Sequence, residues 1–235
     1  LLTHQSEKRV QNILENWLVW VVPILNVDGS NIVFTNNSFW RKNARAGERG
    51  IFGVDINRNY NYNWSSCNGS SSNSSAQDYH GASAGSEPET QALMKLVDEV
   101  KPTASLSYHS YSELVLYSYG CNGKYATDKD LVIKIGHELA ALLPSDSGSG
   151  NYTPGTPWEL LYDVDGDSMD HIYGMHGTLA YTFEVNQSFQ PDYALRDPTV
   201  IKHRAAWMYY MERMQNTLQS RKNTLGRWEH KELTK

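Results

Sequence analysis

Residues 86–109 read SEPETQALMKLVDEVKPTASLSYH and predict a helix followed by a strand. Ser86 and Glu89 have the spacing of a capping box, and Pro88 suits the first turn of a helix. The apolar residues that follow recur at the spacing of one buried helical face: Ala92, Leu93, Leu96, Val97 and Val100. Residues 103–109 then predict a strand. Such a helix-to-strand unit is a building block of α/β domains.

The same alternation continues towards the C-terminus. Residues 129–143 predict a helix and residues 178–184 a strand. Asp197 and Pro198 predict the start of a last helix, which runs through Met211.

Two further elements are predicted before residue 86. Residues 6–17 carry an amphipathic stripe of Val10, Ile13, Leu14 and Trp17, which indicates a helix. Residues 17–27, WLVWVVPILNV, predict a strand covered on both faces. We therefore expect an α/β fold with a mixed, mostly parallel central sheet flanked by helices, in a single domain over residues 1–235.

Composition excludes two classes of partner. The 235 residues carry a net charge of −5, and this acidic balance gives no general attraction for nucleic acid or anionic lipid. The longest apolar run, residues 17–25, is far shorter than the roughly 20 residues of a membrane span. We expect neither a nucleic-acid nor a membrane partner.

The two cysteines, Cys67 and Cys121, leave two possibilities open: one bridge, or two independent thiols. Cys67 lies in a segment, residues 59–86, that is rich in Ser, Asn and Gly and predicts a solvated surface loop. Three of the six N-glycosylation sequons of the chain fall in this segment, where a composition rich in Ser and Asn gives such matches by chance.

Polar clusters follow or interrupt the predicted elements, where an open α/β sheet builds its site. They are FWRKN at residues 39–43, GVDINRNY at 53–60, SYHSYS at 107–112 and TFEVN at 182–186. Taken singly, a His or Glu at a strand end is more often structural than functional.

Together and in this order, these clusters resemble the zinc carboxypeptidases related to pancreatic carboxypeptidases A and B. The resemblance extends from about Val10 to Met214, and it includes NVDG at residues 26–29, SEPET at 86–90 and YTFEV at 181–185. It implies a secreted or periplasmic zinc enzyme that removes the C-terminal residue from peptides. Peptide or protein C-termini would then be its partners.

The resemblance implies a role for each matching residue. His109 matches a zinc ligand, and a neutral imidazole suits Zn²⁺. Glu184 matches the carboxylate that takes a proton from zinc-bound water and passes it to the leaving amine. Arg41 matches the arginine that stabilises the developing oxyanion.

A second group matches residues that bind substrate. Asn57 and Arg58 match the pair that holds the substrate's terminal carboxylate, since a guanidinium binds a carboxylate bidentately. Tyr162 matches the mobile tyrosine that closes over that carboxylate. Ser110 and Tyr111, next to the zinc ligand, complete the expected substrate-binding set.

Met169 matches the pocket position that is apolar in A-type and acidic in B-type enzymes. With it we expect the pocket to be lined by Val164, Thr182 and Gly120. This lining favours aromatic or large aliphatic C-terminal residues. Asp167 stands where the family usually has Gly, and a carboxylate there makes dual or basic (Lys/Arg) specificity the alternative.

Two zinc ligands of the family come from a His-x-x-Glu motif that lies further upstream of NVDG than His4 and Glu7 do. We therefore do not expect His4 and Glu7 to bind zinc. We expect an N-terminally incomplete catalytic domain whose other two ligands precede residue 1. An N-terminal fragment or pro-segment would then be a further partner.

Two other functions remain open on the same fold. One is a deacylase of small acylated amino acids, although such relatives tend to lose the residues that match Asn57, Arg58 and Tyr162. The other is a non-catalytic binding module, which would have no need of Glu184 and Arg41.

Overall fold

The computed structural model describes residues 4–47 and 50–232, without the side chains of residue 51 and residues 219–232. The described residues fall into two compact units. Unit 1 combines parts of Leu1–Val21 and Ala194–Lys235, and unit 2 is Val22–Tyr193. A single domain over residues 1–235 stays a prediction.

Helices and strands alternate over most of the described chain. The helices are α1 (Lys8–Asn16), α2 (Val27–Thr35), α3 (Pro88–Val100), α4 (Lys129–Ala140), α5 (Pro157–Leu160), α6 (Ser168–His176) and α7 (Arg196–Glu232). The strands are β1 (Ala46–Gly47), β2 (Gly50–Ile51), β3 (Ala104–His109), β4 (Leu114–Tyr117), β5 (Thr153–Gly155) and β6 (Leu179–Glu184).

Unit 1 is held together by the contact of α1 with α7. Val10 and Ile13 of α1 are fully buried and form a core with Met208 and Met211 of α7. An ion pair at the edge of this core joins Arg9 Nε to Glu212 Oε1 at 2.6 Å. The predicted amphipathic helix is thus confirmed; Val10 and Ile13 of its stripe pack on α7, whereas Leu14 is 42% exposed.

The predicted strand over residues 17–27 is wrong. None of these residues pairs in a described sheet, and Leu18 and Val21 are 80% and 73% exposed. The C-terminal end of the run begins α2, because Asn26 caps that helix by accepting a hydrogen bond from the Gly29 amide. An apolar run becomes a strand only when another strand satisfies its backbone groups, and no described strand does so here.

Unit 2 is built on a four-stranded sheet with the order β3-β6-β4-β5. β3 pairs parallel with β6 and β5 parallel with β4, whereas β4 and β6 are antiparallel. This confirms the mixed, mostly parallel sheet and the strands predicted at residues 103–109 and 178–184. β1 and β2 form a separate antiparallel pair.

Helices flank this sheet through an apolar core. Its buried members are Val97 of α3, Leu114 and Leu116 of β4, Met169 and Ile172 of α6, and Ala180 of β6. The core therefore fixes α6 against the strands whose ends carry the predicted site residues.

The start of α3 differs from the predicted capping box. Glu87, not Ser86, is the N-cap residue, and Pro88 occupies the first turn as expected. The hydroxyl of Ser86 is instead within 3.0 Å of Asn59 Nδ2 and donates to Glu87 Oε1. The Ser86 hydroxyl thus accepts a hydrogen bond from Asn59 of the polar loop and does not serve as the N-cap of α3.

The two cysteines form a disulfide and are not independent thiols. Cys67 and Cys121 are bonded, with their Cα atoms 6.1 Å apart. The bridge ties the polar loop to the segment after β4. As predicted, that loop forms no regular helix or strand apart from one isolated bridge, Ser71 to Tyr79. Among the described helices, none has the length and apolar character needed to cross a membrane.

We predict that the bridge is a major source of stability, because it closes a loop across a sequence separation of 54 residues. The double variant Cys67→Ser/Cys121→Ser should lose about 2–4 kcal/mol of unfolding free energy. Denaturant unfolding of the variant and of the oxidised protein measures this. Equal unfolding free energies for oxidised and reduced wild-type protein would contradict the prediction.

Candidate functional site

Two adjacent parallel strands place His109 and Glu184 opposite each other. The residues are register partners at the ends of β3 and β6. His109 Nδ1 lies 3.7 Å from Glu184 Oε1, and the other ring nitrogen lies 3.0 Å from the Ser107 hydroxyl. Because both strands run in the same direction, their carboxyl ends meet at one edge of the sheet, where an α/β fold presents its site.

The surroundings shift the protonation of both groups. Burial raises the pKa of Glu184 to about 7, although the charges of Arg41 and Arg58 act in the opposite direction. Burial lowers the pKa of His109 to about 4. Glu184 can therefore gain or lose a proton near neutral pH, and His109 stays a neutral imidazole.

Arg41 is oriented by a buried aspartate that the sequence analysis did not single out. Arg41 Nη2 lies 2.5 Å from Asp55 Oδ2, and Asp55 is only 3% exposed. The other Asp55 oxygen accepts a hydrogen bond from the Asn57 amide. The charge of Asp55 raises the pKa of Arg41. The sequence did contain one indication of a structural role for Asp55, because an Asp that precedes a short helical turn is a typical N-cap residue.

Arg58 and Asn57 follow Asp55 in a short 3₁₀ turn, Ile56–Arg58. Arg58 is 4% exposed, and its Nε and Nη1 donate to the carbonyls of Gly69 and Asn57. The Asn57 side chain accepts from the amide of Ser168, the first residue of α6. These bonds hold the guanidinium in one orientation next to the start of α6.

Tyr162 lies beside Arg58 and is accessible. The centre of its ring is 6.0 Å from Arg58 Cζ, and the residue is 54% exposed. It belongs to the irregular segment after α5.

Three of the predicted pocket residues lie at or near the start of α6: Met169, Gly120 and Val164. Met169 is 4% exposed and belongs to the apolar core, and Thr182 is also buried. The Val164 amide donates to the Gly120 carbonyl. An added Cβ at Gly120 would lie 3.4 Å from Asp167 Oδ2, so this glycine and this carboxylate are close neighbours.

Asp167 is a buried carboxylate that is incompletely satisfied. Its Oδ1 caps α6 by accepting from the Asp170 amide, but its Oδ2 has no hydrogen-bond partner among the described residues. Asp170 is itself buried and accepts from the Gly120 amide. Burial raises the pKa of Asp167 and, together with the Asp167 charge, that of Asp170.

Ser110 and Tyr111 are exposed directly after His109. The Tyr111 ring meets the Phe189 ring edge to face at 4.6 Å, and Phe39 meets Phe189 at 6.5 Å. These three aromatic rings form a partly exposed cluster in unit 2, and sequence reasoning identified only Tyr111.

His4 and Glu7 form an exposed ion pair in unit 1, with His4 Nδ1 2.9 Å from Glu7 Oε1. Glu7 also accepts a hydrogen bond from Arg204 of α7. Within residues 4–47 and 50–232, no group of three or more His, Cys, Asp or Glu side chains is arranged to hold a metal ion.

The sequence is similar to those of known zinc carboxypeptidases. A family model described as Zinc carboxypeptidase matches residues 1–204. Carboxypeptidase O of Bos taurus is 31% identical over 191 residues, which are 80% of this chain and 50% of the relative. Zinc carboxypeptidase A 1 of Anopheles gambiae is 33% identical over 188 residues, or 79% of this chain and 43% of the relative.

A solved structure is similar as well. Bovine thrombin-activatable fibrinolysis inhibitor, in complex with tick carboxypeptidase inhibitor, matches with a TM-score of 0.77 and 27% identity. The match covers 83% of this chain and 68% of that one. The chain spans about half the length of the curated relatives it matches.

Proposed function

The chain belongs to the zinc carboxypeptidase family, and on that premise we propose that its protein hydrolyses the C-terminal peptide bond of peptides. One observation carries the proposal: Glu184 is partly buried at the sheet edge, 3.7 Å from the His109 ring, where the charges of Arg41 and Arg58 also act on it. A proton carrier and two guanidinium groups therefore share one site. A carboxypeptidase needs this combination, because it must move a proton and bind negative charge.

Substrate binding is assigned to the residues around Arg58. Its fixed guanidinium would pair with the free carboxylate of the peptide, with Asn57 beside it. Tyr162, exposed and 6.0 Å away, would cover the bound carboxylate. Ser110 and Tyr111 would contact the peptide on the other side of the scissile bond.

Proton transfer is assigned to Glu184 and charge stabilisation to Arg41. Glu184 would accept a proton from the attacking water and return it to the leaving amine. Arg41, oriented by Asp55, would donate to the oxyanion that forms on the scissile carbonyl. Because Asp55 fixes Arg41 before substrate arrives, the donor needs little reorganisation.

Zinc belongs to the family, but the described residues do not complete a site for it. A catalytic zinc needs three protein ligands, and the described residues offer only the His109 imidazole next to Glu184. We propose that His109 is one ligand and that the other two come from outside this sequence, as in an incomplete catalytic domain.

The proposed setting is secreted or periplasmic, because the Cys67–Cys121 disulfide needs an oxidising compartment. The proposed partners are peptide or protein C-termini. An N-terminal fragment or pro-segment of the same protein would be a further partner.

For specificity we propose aromatic or large aliphatic C-terminal residues, on the grounds of the buried Met169. The unsatisfied Asp167 Oδ2 favours the alternative of Lys or Arg, whose cation would satisfy that oxygen. The two possibilities differ in the charge that the pocket accepts.

Replacing Glu184 with Gln should lower kcat about 10²–10⁴-fold, because the amide cannot accept a proton. Turnover of a peptide by the zinc-loaded protein that contains this chain measures the loss. Glu99→Gln, an exposed change on α3, is the matched control and should have no effect. Near-normal turnover by Glu184→Gln would remove this residue from the mechanism.

Arg58→Ala should lower kcat/KM for a free peptide about 100-fold, because a charged hydrogen-bond partner of the carboxylate is lost. Wild-type protein should discriminate strongly against the same peptide with an amidated C-terminus. Arg58→Lys keeps the positive charge but removes the two-pronged guanidinium, and circular dichroism verifies that each variant is folded. Together they distinguish loss of the bidentate hydrogen bond from loss of structure. Equal cleavage of amidated and free peptides would instead support the deacylase alternative.

Peptides that end in Phe should be cleaved faster than otherwise identical peptides that end in Arg. The kcat/KM values of wild type and of Asp167→Asn, which retains a capping side chain, test this. A preference of wild type for Arg that Asp167→Asn abolishes would overturn the aromatic assignment and establish the basic one.

A further inference from the structure

Asp165 is a carboxylate that folding removes completely from solvent, with 0% of the residue exposed. Its Oδ2 accepts hydrogen bonds from the amides of Cys67 and Gly69 at 3.0 and 3.2 Å, and its Oδ1 accepts one from the Ser70 hydroxyl. The three donors lie within four consecutive residues, which we call the 67–70 turn. Because a buried carboxylate is costly unless such bonds satisfy it, Asp165 and the turn are fixed relative to each other.

The sequence of the 67–70 turn suits this anion. Asn68 has a φ of 60°, in the left-handed region that Asn tolerates better than most residues. This conformation aims the amides on either side of Asn68 at a single oxygen. An added Cβ at Gly69 would lie 2.7 Å from the Asp163 carbonyl oxygen and from the Asp165 nitrogen. The turn therefore packs directly on the backbone around Asp165.

The same turn holds the guanidinium of Arg58. Arg58 Nε donates to the Gly69 carbonyl at 3.0 Å. That carbonyl lies between the Gly69 amide and the Ser70 side chain, and both of these groups are bonded to Asp165. His80 Nδ1 lies 2.7 Å from the Ser70 hydroxyl and supports it from the other side. Asp165 thus sets the position of the acceptor that orients Arg58.

The residue after Asp165 contacts the backbone of Arg58. A Cβ on Gly166 would collide with the Arg58 carbonyl oxygen, and the Gly166 carbonyl accepts a hydrogen bond from the Tyr60 amide at 2.8 Å. The backbone of Arg58 is therefore positioned by Gly166 and its side chain by Gly69. Asp165 joins these two contacts.

Asp165 acts on Arg58 through a neutral group. The described hydrogen bonds of the guanidinium go from Nε and Nη1 to the carbonyls of Gly69 and Asn57. A carboxylate bonded directly to the guanidinium would compete with the carboxylate of the substrate for the same donors. A carbonyl orients the guanidinium and leaves its charge to the substrate.

We propose that Asp165 is a positioning residue for recognition of the substrate's terminal carboxylate, because through the 67–70 turn it sets the orientation of Arg58. The inference rests on the proposed carboxypeptidase function, in which Arg58 binds that carboxylate. Asp165 is fully buried and does not contact the substrate. Its loss should therefore weaken binding of the carboxylate and leave proton transfer by Glu184 in place.

Asp165→Ala should raise KM for a free peptide about tenfold and change kcat less than about twofold, because the carboxylate contact is weakened equally in the ground state and the transition state. The preference for the free over the amidated peptide should fall about tenfold as well. Initial rates of the zinc-loaded protein that contains this chain measure both constants. An unchanged KM, with or without a lower kcat, would make Asp165 a merely structural residue and overturn the proposal.

The sign of the effect distinguishes positioning from charge. Loss of a negative charge near the site would by itself lower KM for an anionic C-terminus. Asp163→Ala, which removes an exposed carboxylate from the same segment, is the matched control and should leave KM unchanged. Asp165→Asn, whose oxygen still accepts the Cys67 and Gly69 amides, should keep KM within about threefold of the wild-type value. A lower KM in Asp165→Ala, or an equal rise in Asp163→Ala, would contradict the proposal.

Ser70→Ala tests the same proposal if circular dichroism shows that Asp165→Ala does not fold. It removes one of the three bonds to Asp165 and should raise KM about two- to threefold, whereas an unchanged KM would overturn the proposal. Failure of the proposed function is a separate result, because wild-type protein would then cleave free and amidated peptides equally. Failure of the Asp165 assignment alone leaves the wild-type preference intact.

Discussion

The parallel pairing of β3 with β6 is the constraint on which the site depends. It makes His109 and Glu184 register partners at one sheet edge. A slip of one residue would move one of these side chains to the opposite face of the sheet. The register extends over six residue pairs, from Ala104 and Leu179 to His109 and Glu184, and Ala180 of β6 packs into the core shared with α3, β4 and α6. Pairing along the whole length of the two strands therefore sets the position of the two groups.

Charge balance is the second constraint. Unit 2 buries several carboxylates, and each is held in a different way. Asp55 pairs with Arg41 and caps a turn. Glu184 is partly buried, and this burial raises its pKa to about 7 against the opposing charges of Arg41 and Arg58. Asp167 has one oxygen without a partner among the described residues. A buried polar atom of this kind is costly in free energy, so it marks the place where a ligand can contribute most.

Helix α6 borders two different parts of unit 2. Its first turn carries Met169 and Asp170, next to Gly120. Its last turns carry Tyr173 and Gly174, next to Tyr119. Tyr119 and Gly120 are consecutive in the chain, so neighbouring residues face two different environments. The positive end of the helix dipole suits the carboxylate of Asp167, which caps the N-terminus of α6.

The sequence by itself determined the alternation of helices and strands, the amphipathic face of α1 and the residues at the strand ends. These follow from local periodicity and from motifs that lie within a few residues of each other. Tertiary structure decided the rest. Residues 17–27 form no strand because a strand needs a partner that periodicity cannot supply, and Ser86 does not cap α3 because Asn59 binds its hydroxyl. The disulfide and the Asp55–Arg41 pair join residues distant in the chain, so only the folded chain brings them together.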